Sequence, residues 1–362
     1  MWISLWVAAT LLFVLSALPL CRIEAWWVRG LDFPRLQLAL VALLLWGLEL
    51  ALLDFGRLGS WALMGLTVVC LGFQAWWIWP YTRLHSREVK TARKHDPDNR
   101  IAIMTANVLA SNRRADDLLA LVREHRPDIL VTLESDHWWQ SQLDALEPDY
   151  PHTIKCPLDN LYGMHVYSRY RLDQPEIQFL VQEDVPSMHA EVVLPSGARV
   201  AVHFVHPAPP SPTENDTSSE RDAELLVVGR SVADLKVPVI VTGDLNDVAW
   251  SSTTRLFRKI SGLLDPRIGR GMFNSFHAGY PFVRWPLDHL FHSEHFALEQ
   301  LRRLPAFGSD HFPVFLSLIY RGDQRKQGGL EADADDLNEA REKMADESVS
   351  PGEVHHPESV GA

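Results

Sequence analysis

The sequence is poor in cysteine: three residues in 362, with no two of them together in one polar stretch. Cys21 and Cys70 lie in or beside apolar runs, which leaves Cys156 alone in the polar part of the chain. That excludes a disulfide framework within the polar region, and the lack of a Cys-x-x-Cys pair gives no sign of zinc. Also missing are a P-loop, the glycine fingerprint of dinucleotide folds, a nucleophilic serine elbow and a His-Glu-x-x-His zinc motif. Positive charge is not in excess either. The formal net charge is -12, which is not the electrostatic footprint of a general DNA-binding protein. A metal-dependent nuclease needs only a local basic groove and is not excluded by this.

Hydrophobic residues make up 47% of the chain, and they are unevenly spread. Trp2 to Leu20 is nearly all apolar. Leu36 to Leu53 is a second run, interrupted only by Gln37 and Glu49. Trp61 to Trp79 is a third, with Gln74 its only strongly polar member. Each is close to the ~20 residues that cross a bilayer as a helix. Trp26, Trp27, Trp76, Trp77 and Trp79 cluster at the edges, as an interfacial aromatic belt would. No small-residue cleavage site follows Leu20, so a signal peptide fits less well. Residues 1–80 are therefore expected to be an anchor of three transmembrane helices in a multi-pass protein of the cell membrane. Glu49, near the end of its run, is expected to snorkel to the interface. Residues 81–99 are polar and unpatterned, so they read as a linker. Residues 100–321 alternate strand and helix patterns. Residues 322–362 turn to Gly, Asp, Glu, Ser and Pro and are expected to form a disordered acidic tail, with at most a transient helix from Ala332 to Ala345.

Within 100–321 the stretches Arg100–Thr105, Asp128–Thr132 and Val237–Thr242 are short, apolar and β-branched, and they read as buried strands. Residues 112–126 read as a helix that Asn112 can cap and Pro127 ends, and the unit around it is a βαβ crossover. A polar motif follows each of the three strands: Ala106-Asn107-Val108, Leu133-Glu134-Ser135 and Gly243-Asp244-Leu245-Asn246. A fourth, Gly308-Ser309-Asp310-His311, closes the region. Strand ends are where α/β proteins build sites. Asn, Glu, Asp and His are oxygen ligands, amide donors and an acid/base, a set that suits a hard divalent cation holding a phosphate. In Val202-His203-Phe204-Val205-His206 the two histidines alternate faces of a strand and are not expected to act together.

Laid out in this order, the motifs resemble those of the endonuclease/exonuclease/phosphatase family, the DNase I-like superfamily, over about Arg100 to Tyr320. The resemblance implies a four-layer α/β sandwich, here preceded by the three transmembrane helices. It implies Glu134 as the metal-binding glutamate, with Asn107 and Asp310 beside it, and Mg²⁺ or Mn²⁺ as the ion. Leu133 stands where the family commonly has Gln, and Leu109 where some relatives carry a further acid, which suggests a single-metal site. Asp244 would orient or deprotonate the attacking water. Asn246, Asn107, His206 and His311 would bind the charged phosphorus centre, and Asp288 would support it through the histidines. Arg221 and Ser168-Arg169 match as scaffold.

The N-terminal architecture is similar to the membrane-anchored bacterial subgroup that includes teicoplanin-resistance-type proteins. The implied activity is metal-dependent hydrolysis of a phosphate-containing substrate at the lipid bilayer, on a lipid-linked phosphate or pyrophosphate; the alternative is a nuclease acting on DNA or RNA. The acidic, Pro-rich stretch 208–220 favours the first. Topology is contested. Lys and Arg beside the spans put the catalytic domain inside by the positive-inside rule, whereas the subgroup resemblance puts it outside, the side slightly preferred. No protein partner is implied.

Overall fold

The computed structural model describes residues 1–233, 235–322 and 327–356. Three of its helices are long and apolar enough to cross a membrane: α1 (Trp2–Ala17), α3 (Arg35–Leu52) and α4 (Leu58–Ile78). Between α1 and α3 lies one short turn of helix, α2 (Trp26–Arg29). Large apolar side chains such as Val7, Leu11, Leu44, Val69 and Trp76 face outward, whereas small Ala9, Ala42, Ser16 and Ser60 are buried between the helices. That inversion of the soluble pattern is what a lipid solvent requires. Several polar groups inside the bundle pair with one another. Gln74 donates to Ser16 at 2.9 Å and accepts from Arg35 at 3.3 Å. Glu49 does not snorkel. It is fully buried and accepts from the Thr67 hydroxyl at 2.7 Å, a donor that the neighbouring helix sets opposite it.

The rest of the chain carries eleven strands among the described residues: β1 (Arg100–Asn107), β2 (Ile129–Leu133), β3 (His152–Cys156), β4 (Met164–Ser168), β5 (Arg171–Gln178), β6 (Ser187–Val193), β7 (Arg199–Val205), β8 (Val239–Asp244), β9 (Asp288–His292), β10 (Phe296–Arg303) and β11 (Val314–Tyr320). They form a six-stranded sheet, β10-β11-β1-β2-β4-β3, and a five-stranded sheet, β5-β6-β7-β8-β9. Each is mixed, with one parallel pair, β1/β2 and β7/β8 respectively. Alternation along the strands sets the layers. Ile101, Ile103, Ile129 and Val131 pack between the sheets against Met188, Val202, Phe204 and Ile240. Ala102 and Met104 face out onto α5 (Ala115–His125) and α6 (His137–Leu143). Ala201, Val205 and Val241 face out onto α7 (Ser219–Val232) and α8 (Ser252–Ser261). The result is the expected four-layer α/β sandwich. The first helix starts later than predicted, at Ala115; Asn112 instead accepts from the Arg114 amide.

Two boundaries differ from expectation. The 81–99 segment is tied into the sandwich: Tyr81 and Val89 are buried, Glu88 pairs with Arg258 at 2.6 Å, and backbone bonds join Lys90 and Ala92 to Leu298. The acidic tail is ordered where it is described. Asp333 and Asp336 form a capping box that starts α9 (Ala334–Asp346), whose Ala340 and Met344 pack onto α7. Lys343 pairs with Asp222 at 3.0 Å and with Glu24, and Lys259 with Asp336 at 2.7 Å. Few apolar residues suffice because α7 offers a preformed face and the acids find cations there. Residues 323–326 and 357–362 of that tail lie outside the described residues.

Candidate active site

The pleat that builds the core also builds the site. On β1 the inward series Ile101, Ile103 continues to Thr105 and Asn107; on β8 Ile240 continues to Thr242 and Asp244. The hydroxyls of Thr105 and Thr242 meet across the sheets at 3.0 Å. One step further on, the Asn107 amide donates to Asp244 Oδ2 at 3.2 Å and to Glu134 Oε1 at 2.7 Å. Glu134 reaches Asn107 because its backbone is left-handed (φ 55°), which breaks the alternation of β2. Gly243 is required by space: a Cβ there would sit 1.7 Å from the Val205 carbonyl oxygen on the parallel neighbour.

The fourth motif closes the cluster. Ser309 donates to the Asn107 carbonyl at 2.8 Å and accepts from the His311 amide at 3.0 Å. His311 Nδ1 lies 2.9 Å from Asp288 Oδ2, and its Nε2 lies 3.4 Å from Asp244 Oδ2. Burial opposes a charged His311, but Asp244 and Asp288 outweigh it and push its pKa up to about 10. Burial raises Asp288, while the charge of His311 overcomes burial to hold Asp244 below the usual carboxylate range. Burial pushes Glu134 up to about 7 against the hydrogen bond from Asn107 and the charge of His311, with Asp310 and Asp244 adding to the rise.

His206 extends the inward series Val202, Phe204 of β7. It is buried, its Nδ1 has no partner, and burial pushes its pKa down to about 4, so it is a neutral imidazole. His203 lies on the opposite face, 2.7 Å from His189. Asn246 is turned partly away: its amide donates to the Pro207 carbonyl at 3.0 Å, and its backbone N–H donates to Asp244 Oδ1. Arg221, buried, donates to the Asn246 carbonyl at 3.0 Å. Seven of the eight predicted residues thus converge directly, and Asn246 borders them.

Sequence reasoning missed two rings. Tyr162 lies 5.5 Å from His206, and Phe276 lies 4.9 Å from His311. Both come from irregular segments with no periodicity to flag them.

Asp244, Asp288 and His311 offer ligand atoms within 4.8 Å of one another, yet both ring nitrogens of His311 face a carboxylate, so the trio is a hydrogen-bonded chain. Beside it stand Glu134, Asp310 and the side-chain carbonyl of Asn107, hard oxygen donors of the kind a divalent ion takes. The raised pKa of Glu134 among acids is what a bound cation would lower.

A model of the endonuclease/exonuclease/phosphatase family matches residues 104–311, more than half of the chain and every motif of this site. The chain belongs to this family. It is a hydrolase of phosphate ester bonds, and the family is typically dependent on a divalent metal. No curated protein sequence matches the chain. Among solved structures, an endonuclease/exonuclease/phosphatase from Beutenbergia cavernae is similar with a TM-score of 0.52 at 18% identity, over 66% of this chain and 76% of that one. The human Nocturnin catalytic domain, with a bound sulfate anion, gives 0.51 at 16% identity, over 62% and 96%. D. rerio TDP2 complexed with single strand DNA product gives 0.50 at 17% identity, over 61% and 99%. At such identities these likenesses are of fold.

Proposed function

We propose that this protein is a membrane-anchored, metal-dependent phosphoester hydrolase acting on a lipid-linked phosphate or pyrophosphate, of the membrane-anchored bacterial kind. The observation that carries the chemistry is the Asn107 amide held between Glu134 and Asp244, with His311 held between Asp244 and Asp288. Glu134, Asp310 and Asn107 would hold Mg²⁺ or Mn²⁺, which when bound neutralises phosphate charge. Asp244 takes the proton of the attacking water as its oxygen bonds to phosphorus; the P–O bond to the leaving group breaks, and the leaving oxygen takes a proton from solvent. His206, neutral with an unpartnered Nδ1, serves as a hydrogen-bond donor to a phosphoryl oxygen and not as the acid. His311 holds positive charge against the charge that builds there. Asp288 orients His311, and Asn246 fixes the loop that carries Asp244 while lying within reach of the substrate.

The lipid assignment rests on how the sandwich sits on the bundle. Phe33, Leu36, Ala39 and Ile78 form one apolar cluster with Trp250, Leu287 and Trp285. Trp250 also donates to the Asp32 carbonyl at 2.8 Å. This contact supports an active domain held close to the membrane that the three helices would cross. Tyr162, beside His206, donates its hydroxyl to Glu214 of the 208–220 loop, so an acid flanks the site where a nucleic acid backbone would need a cation. The domain faces outward in this reading. The test is hydrolysis of lipid phosphates against plasmid nicking, with Mg²⁺ and with EDTA, and with Glu134→Gln. Loss of both activity and metal affinity in Glu134→Gln is expected; full activity in EDTA would overturn the metal role.

A further inference from the structure

The hairpin before β9 carries His277-Ala278-Gly279-Tyr280-Pro281-Phe282-Val283-Arg284-Trp285. Its tip is unusually apolar for a loop. Tyr280 is 61% exposed, Phe282 86% and Val283 43%. Gln37, in the first turn of α3, donates to the Phe282 carbonyl at 2.9 Å. With three spans the first turn of α3 stands on the same side as the sandwich, at the depth where that helix leaves the membrane. Phe282 is thereby held beside the start of α3, and Trp26 and Trp27, also exposed, are at the same end of the bundle.

Below the tip runs a groove of about 500 Å³, lined chiefly by Trp26, Phe33, Pro34, Gln37, Val283 and Trp285. That volume is in the range of small-molecule sites, roughly 300–1,000 Å³. One wall belongs to the segment entering the membrane and the other to the catalytic domain. From it a file of rings leads inward. Phe33 meets Trp285 edge-on at 5.4 Å, Trp285 stacks on Phe276 at 6.2 Å, and Phe276 lies 4.9 Å from His311. Backbone bridges join Phe276 to both Trp285 and His311. Trp285 Nε1 and Gln37 Oε1 are buried without partners, two polar groups left over along an otherwise apolar wall.

We propose that this groove holds the first part of the hydrocarbon tail of the substrate lipid, so that the hairpin and the α2–α3 turn select a long-chain phosphate ester and deliver its headgroup to His311. The proposal rests on the reading of the centre as a phosphoester hydrolase with a lipid-linked substrate. The occupant follows from position. The groove lies where α3 begins, and Trp285 in its wall stacks on Phe276, the ring beside His311; among the described residues that line the groove, Arg29 alone is charged. That guanidinium is already bonded to the carbonyls of Pro19, Cys21 and Ile23. A water-soluble substrate would have no use for an apolar groove at the start of a helix that can cross a membrane. Each methylene taken into such a groove is worth about fourfold in binding.

The test uses the full-length protein in phosphatidylcholine nanodiscs with Mg²⁺, and two chromogenic diesters, hexadecyl and butyl p-nitrophenyl phosphate. Phe282→Asp and Val283→Asp change exposed positions, so the fold is kept. Each variant should raise KM for the hexadecyl ester at least tenfold, leave its kcat in place, and leave the butyl ester untouched. A second reading is independent of turnover: a diazirine-bearing hexadecyl phosphate should crosslink to residues 26–37 and 280–285 in the wild type and lose that label in Phe282→Asp. Equal effects on both esters, or a label that the variant does not move, would overturn the groove while leaving the catalytic centre intact. If both esters are inert but plasmid is nicked, the lipid substrate falls and the groove with it. If neither esters nor plasmid react, and hexadecyl phosphate and hexadecyl pyrophosphate release no inorganic phosphate, the hydrolytic reading itself fails.

Discussion

Replacing Asp288 with Asn keeps the size and a hydrogen bond to His311 but removes a charge from its side. The carboxylate oxygen is 2.9 Å from Nδ1, and both groups are buried. Two unit charges about 4 Å apart attract by roughly 4 kcal/mol at an effective permittivity of about 20. That corresponds to about three pH units. His311, held near 10 by Asp244 and Asp288 together, should then titrate close to neutrality. In the wild type the imidazolium persists through the neutral range, so activity should not fall between pH 6 and 8 on its account. In Asp288→Asn the imidazolium is lost as pH rises through that window, so a falling alkaline limb should appear there. A bound cation lowers the pKa in both proteins, which makes the difference between them the quantity to read. The assay is the pH profile of kcat/KM, paired with ¹⁵N-histidine NMR of His311. A profile and a His311 titration superimposable on those of the wild type would refute the claim that Asp288 holds His311 charged.

Three further outcomes follow from the same structure. Asp244→Asn, which keeps the bonds of Asn107 in place, should lower kcat by roughly 10²- to 10⁴-fold with no change in melting; near wild-type turnover would move the base elsewhere. Glu224 is buried on α7 and burial pushes its pKa up from 4.5 to about 8. The folded state thus keeps a proton that the unfolded state has lost between those values, and stability falls as pH rises from about 4.5 to 8. Glu224→Gln should raise the melting temperature at pH 9, by at most roughly 5 kcal/mol of stabilisation, and barely at pH 4; an equal gain at both would place the cost elsewhere. Cys21 is exposed on the loop that shares a side with the catalytic domain, whereas Cys156 is half-buried. In a Cys70→Ala, Cys156→Ser background, a membrane-impermeant maleimide should label Cys21 in intact cells, and labelling only after lysis would reverse the orientation.

The legible part of this protein was the part ruled by pattern. Three apolar runs gave the bundle, and β-branched stretches gave the strands whose ends carry Asn107, Glu134 and Asp244. The illegible part depended on tertiary partners. Glu49 turned inward because Thr67 stands opposite it on α4. Residues 334–346 became a packed helix because α7 offered an apolar face and Lys259 and Lys343 met acids across the contact. Tyr162 and Phe276 reached the site from segments whose course no local periodicity sets, and the docking of Phe282 on Gln37 joins residues 245 positions apart.

The central claim is that the cluster around Asp244 hydrolyses phosphate esters with the help of a divalent ion. The most direct measurement is the rate of p-nitrophenolate release from a phosphodiester by the full-length protein in nanodiscs, with Mg²⁺, with EDTA, and with EDTA followed by excess Mg²⁺, in the wild type and in Asp244→Asn. EDTA should abolish release, Mg²⁺ should restore it, and with Mg²⁺ present Asp244→Asn should be slower by roughly 10²- to 10⁴-fold. Release that persists in EDTA, or near wild-type release from Asp244→Asn, would contradict the claim.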